Sequence, residues 1–146
     1  MYYQEPLPCF SNTKEVDVMA LEVKVYKIKD FLRMTEAGEI DLDKSIAMVR
    51  KLAAVATFNA EHNILIDLRK TKVSFAGMEE VMKITMELIE CMPPFFPNKI
   101  ANVIPNEENR ASLARKFELC MNIKNINYKF FTDFEEAIEW LSDITH

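Results

Sequence analysis

Glycine and histidine are scarce in this chain of 146 residues: Gly38 and Gly77 are the only glycines, His62 and His146 the only histidines. Two distant glycines rule out the glycine-rich loops that wrap phosphates. Cys9, Cys91 and Cys120 are odd in number and widely spaced, and they form no Cys-x-x-Cys. They read as reduced, structural thiols of a cytoplasmic protein. Positive charge is also short, with 18 Lys and Arg against 23 Asp and Glu and a net charge of −5. That balance argues against nucleic acid and anionic membrane surfaces, which both demand a basic footprint. No apolar run approaches the roughly 18 residues of a membrane span. The start, MYYQEPLPCF, lacks the basic-then-apolar order of a signal peptide.

What is present is the patterning of an α/β domain. Residues 1–15, with Pro6, Pro8 and a polar Ser-Asn-Thr-Lys cluster, read as a flexible leader before one domain over 16–146. Alternation around Leu21, Val23, Val25 and Ile28 predicts a strand near 21–28. FLRMTEA at 31–37 predicts a second, and Lys29-Asp30 between them suits an antiparallel hairpin that ends at Gly38. Asp41 or Asp43 then caps a helix of about residues 43–58.

ILIDL at 64–68 is a nearly continuous apolar run, as expected of a strand buried on both faces. Ser74 is placed to cap a helix over 75–91, with Met78, Met82, Thr85, Ile89 and Met92 as its inward stripe. Pro93, Pro94 and Pro97 end that helix. KIANVI at 99–104 is the next strand, and a helix at about 107–121 turns Ala114, Phe117 and Cys120/Met121 inward. The end is the most informative segment. Tyr128, Phe130 and Phe131 form a last strand. Asp133 followed by Glu136 makes an acidic capping box, and Phe134, Ala137, Ile138 and Leu141 form a helical stripe beside Trp140. The expected order is ββαβαβαβα, with a mixed, largely parallel central sheet flanked by helices.

The chemical inventory is thin. His62 lies in a polar connector and His146 ends the chain, so both read as solvated and neither supports a Ser–His or Cys–His dyad. No His, Cys or carboxylate cluster has metal spacing. Asp67 reads as a partner of loop backbone or of Arg69, and Asp133 as a helix cap. The nine methionines read mainly as core filler. MPPFFP at 92–97 is the most exposed-looking apolar feature. Phe95 and Phe96, with Met92 and Met82, are candidate contacts to a ligand or to a second copy in a homodimer. The alternative is that both phenylalanines cap this subunit's own core.

Taken together, ILIDLRKTKVSFAGM, KIANVIP and FFTDFEEAIEWL resemble the STAS-like family. They are most similar to its small stand-alone bacterial branch, related to anti-sigma-factor antagonists and sharing its fold with lipid-binding CRAL-TRIO domains. The closing pattern Phe-x-Asp-x-x-x-Ala-x-x-Trp-Leu is matched by Phe131, Asp133, Ala137, Trp140 and Leu141. The resemblance implies a regulatory or binding domain without catalysis or cofactor, acting through a protein partner. Its alternative is a carrier or sensor of a small apolar ligand such as a lipid. Antagonists of this kind are phosphorylated on a serine of Asp-Ser-Ser-Gly-Leu. Gly77-Met78 here matches that Gly-Leu, which puts Phe75 and Ala76 at the two serines and Ser74 one residue early. Ser74 is thus the candidate phosphoacceptor, with Thr71, in a basic connector of Arg69, Lys70 and Lys72, a poorer one.

Overall fold

The computed structural model describes residues 31–59, 61–93 and 96–142. The leader, the strand expected at 21–28 and the hairpin it would make lie outside them. The described chain runs β1 (Phe31–Ile40), α1 (Leu42–Phe58), β2 (Asn63–Val73), α2 (Met78–Cys91), β3 (Lys99–Val103), α3 (Glu108–Ile123), β4 (Asn127–Phe131), α4 (Phe134–Ser142). The four strands form one sheet in the order β1-β2-β3-β4, every pair parallel.

Sequential order and helix placement are one fact. Each crossover steps the same way across the sheet, and crossovers of one hand then put their helices on one face. Leu52, Ala53 and Ala56 of α1, Leu88 of α2 and Met121 of α3 accordingly share a core with Ile64, Ile66, Ile100 and Tyr128. The helix α4 follows the last strand and makes no crossover, so it is free to cover the opposite face. There Ala137 and Leu141 pack on Leu65, Ala101, Val103 and Phe131, and Trp140 tilts against Phe131 at 5.7 Å.

Local chemistry sets most boundaries. Asp41 caps α1, its carboxylate accepting from the Lys44 N–H at 2.8 Å. Asp133 accepts from the Glu135 N–H at 3.3 Å at the start of α4. Asn125 takes the left-handed turn after α3 (φ 65°), and the Ile126 N–H returns to the Met121 carbonyl at 3.0 Å, a Schellman closure.

Three expectations need correction. Gly38 does not end its strand: with φ at 90° it carries β1 on to Ile40, past an irregularity between Thr35 and Ala37. Only glycine adopts that φ cheaply. The basic stretch Arg69–Lys72 is not a connector, because β2 continues through it to Val73, paired to Ala37–Ile40 of β1. Ser74 caps nothing. The N-cap of α2 is Gly77, three residues on, while the Ser74 N–H donates to the Ile40 carbonyl at 3.0 Å and closes the end of the β1–β2 pair.

Candidate functional site

Between the sheet and its three crossover helices lies a cavity of about 100 Å³, walled mainly by aliphatic side chains such as Val49, Leu52, Ile66, Leu88 and Ile100. Asn102, Tyr128 and Arg110 interrupt that wall. Asn102 reaches it from β3 because alternate residues of that strand face the crossover helices. Its amide nitrogen donates to the Tyr128 hydroxyl, and its carbonyl oxygen, buried, has no partner among the described residues. Burial pushes the Tyr128 phenol above its ordinary pKa, so it stays a neutral donor.

Arg110, in the first turn of α3, is only 7% exposed. Its guanidinium donates to the Thr71 carbonyl at 2.7 Å and to the Thr71 hydroxyl at 3.0 Å. Burial pulls its pKa down, and the nearby Glu107 carboxylate acts in the other direction. No ion pair to it is formed by a described residue. Beyond Arg110 opens a second, more polar space of about 290 Å³, bordered by Ser74, Asn109, Ser112 and Lys116. The two spaces share Val73, Phe75, Arg110 and Leu113 in their walls.

The opposite face carries a charge cluster. Asp67, buried on β2, accepts from Arg69 at 2.8 and 2.9 Å and from Arg33 at 2.9 Å. The Arg69 guanidinium, aided by the Arg69 N–H and by Arg33, holds the carboxyl down at about 2 against the opposing effect of burial. Both guanidiniums stand over the Phe134 ring, at 5.1 and 4.8 Å. These contacts join β1, β2 and α4, and the expected Asp67–Arg69 pairing is present with Arg33 added.

The residues singled out from sequence scatter. Phe96 is buried among Leu52, Ile100 and Tyr128, with Met92 packed beside it, so both belong to this subunit's own core rather than to an exposed loop. Phe95 lies outside the described residues, as does His146. Met82 is 53% exposed. The inward face of α2 is Val81, Ile84, Thr85 and Leu88, and Met78, Met82 and Met86 line the outward one. Reading the methionines as core filler fails for these three, because branched aliphatic side chains hold the buried row. Ser74 is exposed at the rim of the polar space. Thr71 is buried, its hydroxyl donating to the Leu68 carbonyl at 2.8 Å while accepting from Arg110. The His62 ring is half-buried rather than solvated, and its Nδ1 has no partner among the described residues.

Sequence reasoning missed Arg110, Asn102 and Tyr128. One signal was available: Asn102 is the sole polar side chain in an otherwise apolar stretch, IANVI. Among the described residues no three His, Cys, Asp or Glu side chains gather as a metal would require. No described helix is long and apolar enough to cross a membrane.

No family model matches this chain, and no curated protein does. Among solved structures it is similar to an uncharacterized protein from the DUF3478 family with a SpoIIAA-like fold, from Shewanella loihica PV-4. The two share 16% identity over 83% of this chain and 98% of that one, with a TM-score of 0.47. A likeness of that degree carries no argument about activity, partner or kinship with CRAL-TRIO domains.

Proposed function

We propose that this chain is a non-enzymatic, STAS-like binding domain that docks a protein partner on the outer face of α2 and α3. The observation that carries this reading is the row Met78, Met82 and Met86, spaced one turn apart and 37%, 53% and 42% exposed. Leu119 and Ile123 of α3 add to it at 55% and 65%, and Cys120 Sγ lies 4.0 Å from Met78 Sδ between the two helices. Flexible, polarisable methionines on a helix face suit an apolar partner surface. Two groups that could begin covalent chemistry are otherwise engaged. Thr71 is buried in hydrogen bonds, and desolvation together with the neighbouring Glu87 carboxylate pushes the Cys91 thiol up and away from the reactive thiolate.

The carrier reading rests on the inner cavity. At about 100 Å³ it is well below the roughly 300 Å³ at which ligand pockets usually begin, which weighs against an acyl chain. The phosphoswitch reading keeps Ser74, exposed beside Arg110 and Lys116. The homodimer through 92–97 loses Phe96 as a contact.

A photo-crosslinking residue at position 82, in the native host, tests the docking face. A reproducible heterologous adduct, lost when Met78 and Met86 are changed to Glu while circular dichroism is unchanged, is the expected result. Adducts only to a second copy of the chain would replace the partner with a homodimer. Adducts indifferent to the two substitutions would overturn the face.

A further inference from the structure

On their outer side, α2 and α3 meet through sulfur. The half-buried Cys120 thiol of α3 lies 4.0 Å from the thioether of Met78 on α2, which is 37% exposed. Met82 and Met86 follow Met78 at steps of four, a spacing that sets side chains one above the other on a single helix face. Packing does not require methionine there, since Val81, Ile84 and Leu88 already fill the buried side of α2. A thiol and a thioether on neighbouring helices, with a second thioether one turn on, make a set of soft donors within reach of solvent.

We infer that Cys120, Met78 and Met82 form a binding site for a soft monovalent metal ion, copper(I), at the seam of α2 and α3. The distance sets the coordination. Two sulfurs each roughly 2.3 Å from one ion, and about 120° apart around it, stand about 4.0 Å from each other. Cys120 Sγ and Met78 Sδ already have that separation. Met82, 53% exposed and unbranched, turns in as the third donor. Donor chemistry selects the metal. Thiolate and thioether together suit copper(I), whereas zinc and harder ions prefer nitrogen and oxygen beside thiolate. The described residues gather no three His, Cys, Asp or Glu that would favour those ions. Binding exchanges one proton for one ion: the thiol releases H⁺ to solvent, the thiolate bonds copper(I), and the oxidation state is unchanged. Thiolate and monovalent ion cancel, so the site adds no net charge near Lys116 and Lys124, each four residues from Cys120. The site is independent of the docking reading, since it uses neither Met86, Leu119 nor Ile123 and needs no partner.

The experiment is an anaerobic titration of the full, reduced chain with copper(I) against a chromophoric copper(I) chelator, with X-ray absorption on the loaded protein. The expected result is one ion withheld per chain, with two or three sulfur neighbours at roughly 2.3 Å. Cys120→Ser should abolish retention. Met78→Leu should weaken it at least tenfold, since even an outer partner of a metal ligand is worth about 10–100-fold. Met82→Leu should weaken it less. Cys9→Ser and Cys91→Ser should leave it unchanged. Leucine keeps the bulk of methionine, so circular dichroism of the Met variants should match the parent. If a variant does not fold, X-ray absorption on the unaltered chain still decides, because nitrogen or oxygen neighbours, or a single sulfur, would overturn the site. Retention indifferent to Met78→Leu would show an adduct of one thiol alone and overturn it as well. So would loss of the ion in Cys91→Ser, zinc(II) held as tightly as copper(I), or no ion withheld from the chelator.

Discussion

The two faces of the sheet solve the same packing problem differently. On the α4 face the contact is made by small side chains pressed close: Ala101 and Ala137 are fully buried, and Leu65, Val103, Phe131 and Leu141 close around them. Polar groups there are matched, Asp67 with two arginines and the Lys99 ammonium with the last carbonyls of α4 through Trp140 at 2.7 Å. On the three-helix face, larger side chains leave a cavity, and Arg110 borders it hydrogen-bonded to Thr71 but without an ion pair to a described carboxylate. One face is finished by the chain itself. The other keeps a cavity beneath its helices.

The comparison is most sharply broken by cutting into the finished face. Leu65→Ala removes a fully buried side chain where little relaxation is available. It should cost about 2–5 kcal/mol, read as a lower midpoint in urea with an unchanged slope. A smaller effect comes from adding volume to each face in turn. Ala101→Leu must force α4 off the sheet and should cost about 1–3 kcal/mol. Ala114→Leu, on the cavity wall, should stay within about 1 kcal/mol of the parent or exceed it, since the added methyls enter existing space. Equal costs at the two alanines would erase the distinction between the faces.

The smallest effect is acid titration of the finished face. The Asp67 carboxyl is held at about 2, below its ordinary value, mainly by Arg69. A carboxyl lowered in the folded state adds stability above the unfolded value near 4, and loses it as pH falls toward the folded value. The window is therefore between about pH 4 and pH 2, and stability falls with falling pH. Both arginines are near half-exposed, so solvent screening limits the contribution to about 1–2 kcal/mol. Urea midpoints measured across that window should drop for the parent and drop less for Asp67→Asn.

What the sequence made legible, and what it hid, also divides by physics. ILIDL and KIANV were readable as strands because central parallel strands bury both faces and so need continuous apolar residues, and YKFF on the edge was readable from its aromatic, strand-favouring residues. Asp41 and Asp133 were readable as caps because capping is local. The extension of β2 through Arg69–Val73 was not, since its pairing is made by backbone with a distant strand and its lysines only decorate solvent. In α2, two neighbouring rows both keep helical spacing, Val81–Ile84–Leu88 stepping by three and four and Met78–Met82–Met86 by four. Periodicity alone does not say which row turns inward; the fit of branched side chains against α1 and α3 does. Arg110 looked like an ordinary charge in a polar first turn, ENRAS, and its burial follows only from Thr71 and the end of β2 meeting it across the fold.

The strand order has a consequence for how the chain is made. Among the described strands, β2, β3 and β4 each pair with the strand just before them in sequence, so each finds that neighbour already synthesised, which keeps these contacts local and growth stepwise. The α4 face is the exception. Leu65, Ala101 and Val103 are laid down with β2 and β3 but stay uncovered until the nine residues of α4 have been synthesised. Among the described helices α4 alone packs on that face, so its docking, not strand pairing, covers the last apolar side of the sheet.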